Sequence, residues 1–134
     1  MELELKKAGF DTYEIGGELT LTQEETAETI VPDYCPDIAR IISAEGVVCL
    51  HGGTEQDGVT GTVRVTVLYT PENESGVRAL EFAMPFSAQG EGLAGCAHVV
   101  VEAEIELLES RMLNPRKIFT RCKLVTHLTG YRKV

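Results

Sequence analysis

From Val99 to Leu107 the chain alternates without a break. Val99, Val101, Ala103, Ile105 and Leu107 are apolar, while Glu102, Glu104 and Glu106 are charged. An extended strand sends these two sets to opposite faces, whereas a helix would scatter the glutamates around its circumference. Val63, Val65, Val67 and Tyr69 are set against Arg64, Thr66 and Thr70 in the same way. Both stretches are rich in β-branched residues, which suit a half-buried pleated surface. Segments 12–21, 26–31, 46–51, 77–85 and 117–129 follow the period less strictly and are expected to be further strands.

Turn chemistry separates these segments: Gly16-Gly17, Asp57-Gly58, residues 72–76, the glycine-rich 89–95, and Asn114-Pro115. Many short strands at this spacing predict an all-β fold, an antiparallel β-sandwich or partly open barrel. At most one short helix is expected, between Asp37 and Ser43, where Asp-Ile-Ala-Arg-Ile-Ile follows a proline and Asp37 is placed to cap it. A tight reversal at Leu113-Asn114 would set Glu106 opposite Arg121 and Glu104 opposite Lys123 on one solvated face.

The length of 134 residues fits one domain spanning 1–134, large enough to bury a real core. With no Trp, that core has to be built from Val, Ile and Leu. Twelve basic residues against 21 acidic ones give a net charge of −9. Nucleic acid and anionic membrane would be repelled, so neither is expected as a partner. The N-terminal Met-Glu-Leu-Glu-Leu-Lys-Lys has no apolar run of signal or membrane-span length. The expectation is a cytoplasmic protein without membrane insertion, its four cysteines present as thiols.

The most suggestive chemistry is a repeated Cys-x-His, Cys49-Leu50-His51 and Cys96-Ala97-His98. Alternate strand residues point the same way, so each pair could offer two ligands to a tetrahedral zinc. The spacing is not that of zinc ribbons or fingers, however, and buried small cysteines with histidines at strand ends are the plainer reading. No resident metal or cofactor is therefore expected. Cys122 and His127 lie five apart, which on a strand puts them on opposite sides and does not suit a nucleophile with its base. Glu24, Glu25, Glu28, Asp33 and Asp37 lack the glycine turn and dense oxygen ligands of a calcium loop and read as a solvated edge. Gly52-Gly53 and residues 90–95 lack the lysine and following helix of a phosphate loop.

Residues 31–42, Val-Pro-Asp-Tyr-Cys-Pro-Asp-Ile-Ala-Arg-Ile-Ile, are different in kind. Prolines deny ladder hydrogen bonds, so this piece is expected to cross between sheets or cover an edge. Here the chain resembles a known family. Pro32-Asp33-Tyr34-Cys35-Pro36-Asp37-Ile38, preceded by Gln23-Glu24-Glu25-Thr26, is similar to the opening of the SPOCS domain of clostridial (Firmicutes) sporulation proteins. Residues 61–69 resemble its central strand, Phe82-Ala83-Met84-Pro85-Phe86-Ser87 a strand end, and 109–111 through 117–120 its closing pattern. The resemblance runs over about residues 10 to 132 and rests on the number and order of its motifs.

Such domains often occur in tandem ahead of a LysM module, which has no counterpart in this sequence. The resemblance implies a part in spore envelope (coat or cortex) morphogenesis, in the mother-cell cytoplasm or at the forespore surface. It supplies no catalytic or ligand residues. The expected function is thus a non-catalytic protein-binding or assembly module, acting on a protein partner or on itself through a strand edge. A second contact surface is expected from Pro32, Asp33, Tyr34, Pro36, Asp37 and Ile38, flanked by Phe82, Pro85 and Phe86 in an apolar turn. The alternative is a metal- or small-ligand-binding β domain using Cys49, His51, Cys96 and His98.

Overall fold

A computed structural model describes residues 11–51, 58–90, 92–93 and 95–134. Six long strands make up nearly all of it: β1 (Tyr13–Ile30), β2 (Ile38–Leu50), β3 (Gly58–Pro71), β4 (Arg78–Gln89), β5 (His98–Asn114) and β6 (Lys117–Lys133). They form two antiparallel three-stranded sheets, ordered β1-β6-β5 and β2-β3-β4, which pack face to face as a β-sandwich and not as a closed barrel. The central strands β6 and β3 show the cleanest alternation. Val63, Val65, Val67 and Tyr69 from β3 and Ile118, Cys122 and Leu124 from β6 are fully buried or nearly so. Each such side chain removed from water contributes roughly 1.5–3 kcal/mol before entropy is counted.

Two connections carry the chain between the sheets, residues 31–37 from β1 to β2 and the one from the end of β4 to the start of β5. They leave the sandwich at opposite ends. At one side β2 lies along β5, and the fit there depends on a missing side chain. A Cβ at Gly46 would come within 2.9 Å of Ile105 Cδ1 and 3.0 Å of Leu108 Cδ2.

Several expectations change. The helix between Asp37 and Ser43 does not form among the described residues: Ile38 opens β2, and Asp37 accepts a hydrogen bond from Arg116 instead of capping a helix. Ile38, Ile41 and Ile42 imitate helical spacing because register shifts between Ile38 and Arg40, and between Ile41 and Ser43, break the two-residue period. Segments 12–21 and 26–31, but for Thr12 and Val31, belong to the single strand β1, and Gly16 marks a register shift within it, not a turn. Residues 82–86 are not a turn either but part of β4, where Pro85 is tolerated on an edge strand. Gly52, Gly53 and Asp57 lie outside the described residues.

The β5–β6 register also moves. The reversal falls at Pro115-Arg116, with Asn114 opposite Lys117, and shifts follow at 112/114 and at 105/107. Arg121 therefore faces Glu109, and Glu104 faces Val125. Neither expected pair, Glu106–Arg121 or Glu104–Lys123, is a register pair. Glu104 and Lys123 do share the solvated face, because the displacement is two residues and preserves parity. The shift at Glu106 passes the inward role from Ile105 to Leu108 and leaves Leu107 opposite Lys123.

On that outer face the central strand β6 offers cations to acidic neighbours on both sides. Arg121 pairs with Glu109 at 2.8 Å and lies 3.5 Å from Glu24, and Lys117 pairs with Glu28 at 2.9 Å. Exposed pairs of this kind contribute about 0–1 kcal/mol each, so they help fix register more than they stabilise.

Burial pushes the Cys122 thiol above its ordinary range, and the nearby Glu25 adds to this. Burial raises the Tyr69 phenol likewise, with a smaller contribution from Cys35. A folded-state pKa raised above the unfolded one favours the neutral, protonated group in the fold. The resulting stability is complete below the unfolded values, about 8.5 and about 10, and declines as pH rises past them. Thermal unfolding followed by circular dichroism should give a melting temperature that is flat from about pH 7 to 8 and falls above about 9. Cys122→Ala should move the onset of that fall upward toward the phenol's range.

Candidate functional site

Residues 31–37 connect β1 to β2 across the end of the sandwich where the β3–β4 and β5–β6 turns also lie. Pro32 and Pro36 have no amide hydrogen, and the carbonyls around them have no ladder to join. The β5–β6 turn supplies the missing partners. Arg116 Nη2 donates to the Val31 carbonyl at 3.0 Å and the Pro32 carbonyl at 2.8 Å. Its Nη1 donates to the Cys35 carbonyl at 2.7 Å and to Asp37 Oδ1 at 3.0 Å. The planar fork of guanidinium donors makes such a four-acceptor arrangement possible, which an ammonium cannot copy.

Backbone bonds run the other way. The Val31 amide donates to the Arg116 carbonyl at 2.8 Å, and the Ile38 amide to the Pro115 carbonyl at 2.9 Å. The fully buried Tyr69 donates its hydroxyl to the Pro36 carbonyl at 3.2 Å, and the Glu72 amide donates to the Asp37 carbonyl at 2.9 Å. The turn bearing Arg116 is held locally: Asn114 Oδ1 accepts from the Arg116 amide at 2.8 Å, and Pro115 fixes its own φ.

The crossover backbone is thus fixed while part of its surface stays open. Tyr34 is 87% exposed, and Asp33 is exposed beside it. Ile30, 70% exposed, ends β1, and Leu113 and Val77 are exposed on the neighbouring turn regions. Pro32, Pro36 and Asp37 are half-buried. Ile38 and Phe86 are buried in the core, Phe82 packs half-buried against it, and Pro85 is exposed on β4. The contact residues named from sequence thus divide into a surface at the crossover, a core, and Pro85, which is exposed on β4 beside Thr62 and away from the crossover. Ile30, Val77 and Leu113 were missed; their one sequence signal was an apolar residue next to turn chemistry.

The two Cys-x-His pairs fall on different sheets, Cys49 and His51 at the end of β2, Cys96 and His98 at the start of β5. His51 Nε2 lies 2.8 Å from Thr62 Oγ1, and His98 Nε2 lies 3.2 Å from the Tyr13 hydroxyl. Cys96 packs among Leu93 and Leu128, its sulfur occupying the space a Cβ would need at Gly130. Among the described residues no three His, Cys, Asp or Glu side chains stand together as a metal site requires. Cys122 is fully buried while His127, on the outer face, lies 3.2 Å from Thr20 Oγ1 through Nδ1. Also among the described residues, no helix is long and apolar enough to cross a membrane.

Arg116→Lys keeps the charge and loses the fork. The variant should unfold about 2–3 kcal/mol more easily in urea, a loss moderated by the partial exposure of the site. An unchanged denaturation midpoint would mean that water replaces the fork at no cost.

No family model, curated protein or solved structure matches this chain.

Proposed function

We propose that this domain is a non-catalytic protein-binding or assembly module that meets its partner at the crossover end of the sandwich. The observation that carries the reading is the exposure of Tyr34, Ile30, Val77 and Leu113 on and around a backbone pinned by Arg116. A rigid aromatic on a fixed loop costs little ordering on binding, and exposed tyrosines are frequent anchors of interfaces.

The edges of the sheets are less inviting. β1 turns Gln23 and Glu25 inward, a polar arrangement that discourages pairing with another strand. On β4 the Ser87 carbonyl already accepts from Gln23 Nε2 at 3.0 Å. The spore-envelope setting comes from the sequence resemblance to SPOCS domains alone, and the cytoplasmic location is an expectation from the sequence. The non-catalytic reading is supported by the separation of Cys122 from His127 and by a thiol that burial keeps protonated.

Photo-crosslinking in the producing cells tests this, with p-benzoylphenylalanine placed at Tyr34 or, as control, at the exposed Ala79 of β4. The expected result is a discrete protein adduct from position 34 and none from 79, lost when Ile30 and Leu113 are both changed to Ser. With the purified partner, Tyr34→Ala should weaken binding by about 1–2 kcal/mol. Equal labelling from both positions would refute the pole as the contact.

A further inference from the structure

The outer face of the β2-β3-β4 sheet differs from that of the other sheet, where Lys117 and Arg121 find carboxylates. Along β3 it presents Thr62, Arg64 and Thr66, which alternate with the buried Val63, Val65 and Val67. Cys49 and His51 border it from β2, and Glu81 and Ala83 from β4. Together these residues line a depression of about 510 Å³, within the range of small-molecule sites.

Two charges in this depression are left over. Arg78, Arg116, Lys117, Arg121, Arg132 and Lys133 each pair with a carboxylate. Arg64, like Arg40, Arg111 and Lys123, has no ion pair among the described residues, in a chain carrying 21 acidic side chains. Its cross-strand neighbours are Val47 and Ala83, which cannot answer its charge. Glu81 faces Thr66, one row along, and it too has no ion pair among the described residues. Diagonal positions on a sheet lie about 7–8 Å apart, too far for contact without side-chain reach but close enough for one small molecule to touch both. The His51–Thr62 bond fixes the two polar groups beside them.

We infer that this depression binds a small zwitterion of the amino-acid class. Its carboxylate lies against the Arg64 guanidinium, whose fork matches two oxygens. Its ammonium lies toward Glu81, with the Thr62 and Thr66 hydroxyls alongside. A polyanion is disfavoured because Glu81, and Glu45 across Thr66 on β2, make the surroundings repel additional negative charge. A simple cation is disfavoured by Arg64 itself. The inference is independent of the contact proposed at the crossover, since the two lie on different surfaces.

The test is a heteronuclear NMR titration of the full chain with L-alanine, with propionate and ethylammonium as probes carrying one charge each. L-alanine should give saturating shifts in residues 62–66 and 81–83 and at the Arg64 Nε–H. Each single-charge probe should bind roughly tenfold more weakly or not at all. R64Q and E81Q, both at exposed positions, should each weaken L-alanine binding roughly tenfold while leaving the remaining spectrum in place. Propionate matching L-alanine would overturn the ammonium contact and with it the zwitterion. Shifts that do not saturate, or that persist in R64Q, would overturn the site.

Discussion

Between β1 and β2 the chain must leave one sheet and enter the other within seven residues, two of them proline, and three of the carbonyls it strands there find donors in a single guanidinium. Arg116 reaches three of those carbonyls and the Asp37 carboxylate, while its own carbonyl and that of Pro115 close the return bonds. The placement of the second sheet on the first depends on this joint. Ile38 enters β2 directly from it, and the fully buried Val31, Ile38, Tyr69 and Ile118 pack in the core beneath it. A buried polar group costs stability when unpaired, so the same bonds that shape the crossover also make its alternatives unfavourable.

The proposed contact follows from what that joint leaves outside. A backbone satisfied on its inner side can hold Tyr34 nearly free of contact on its outer side, and the apolar neighbours at Ile30, Val77 and Leu113 extend the surface. The two sheet faces divide the remaining chemistry. On the β1-β6-β5 face Lys117 and Arg121 pair with Glu28, Glu24 and Glu109, whereas on the β2-β3-β4 face Arg64 and Glu81 have no ion pair among the described residues. Each surface is thus set by which strand lies in the middle: β6 brings cations to glutamates, and β3 sets Arg64 between Val47 and Ala83 and Thr66 between Glu45 and Glu81.

Period-two alternation was enough to read β3 and the first part of β5, because their inward residues are apolar and their outward ones polar at every step. β1 was harder because Gln23 and Glu25 face inward, so its alternation vanishes midway although the strand continues. The start of β2 looked helical because its irregularities set isoleucines three and four apart. At Leu107-Leu108 two adjacent apolar residues did mark the parity change, a signal that a strict count of alternation passes over. The crossover was legible as a crossover from its prolines. Its clamp was not, since Arg116 lies 79 or more residues away and nothing local to either segment announces the contact. Arg64 was readable as a strand's polar position, but its lack of a partner depends on which residues β2 and β4 set beside it.

Native-state hydrogen exchange at the Val31 and Ile38 amides tests the role of the Arg116 joint most directly. If the joint fixes the crossover, both amides exchange as slowly as those in the middle of β3 and β6, through opening of the whole domain. Exchange at these two positions within seconds at neutral pH, while β3 and β6 stay protected, would show a crossover that moves on its own and would contradict the account.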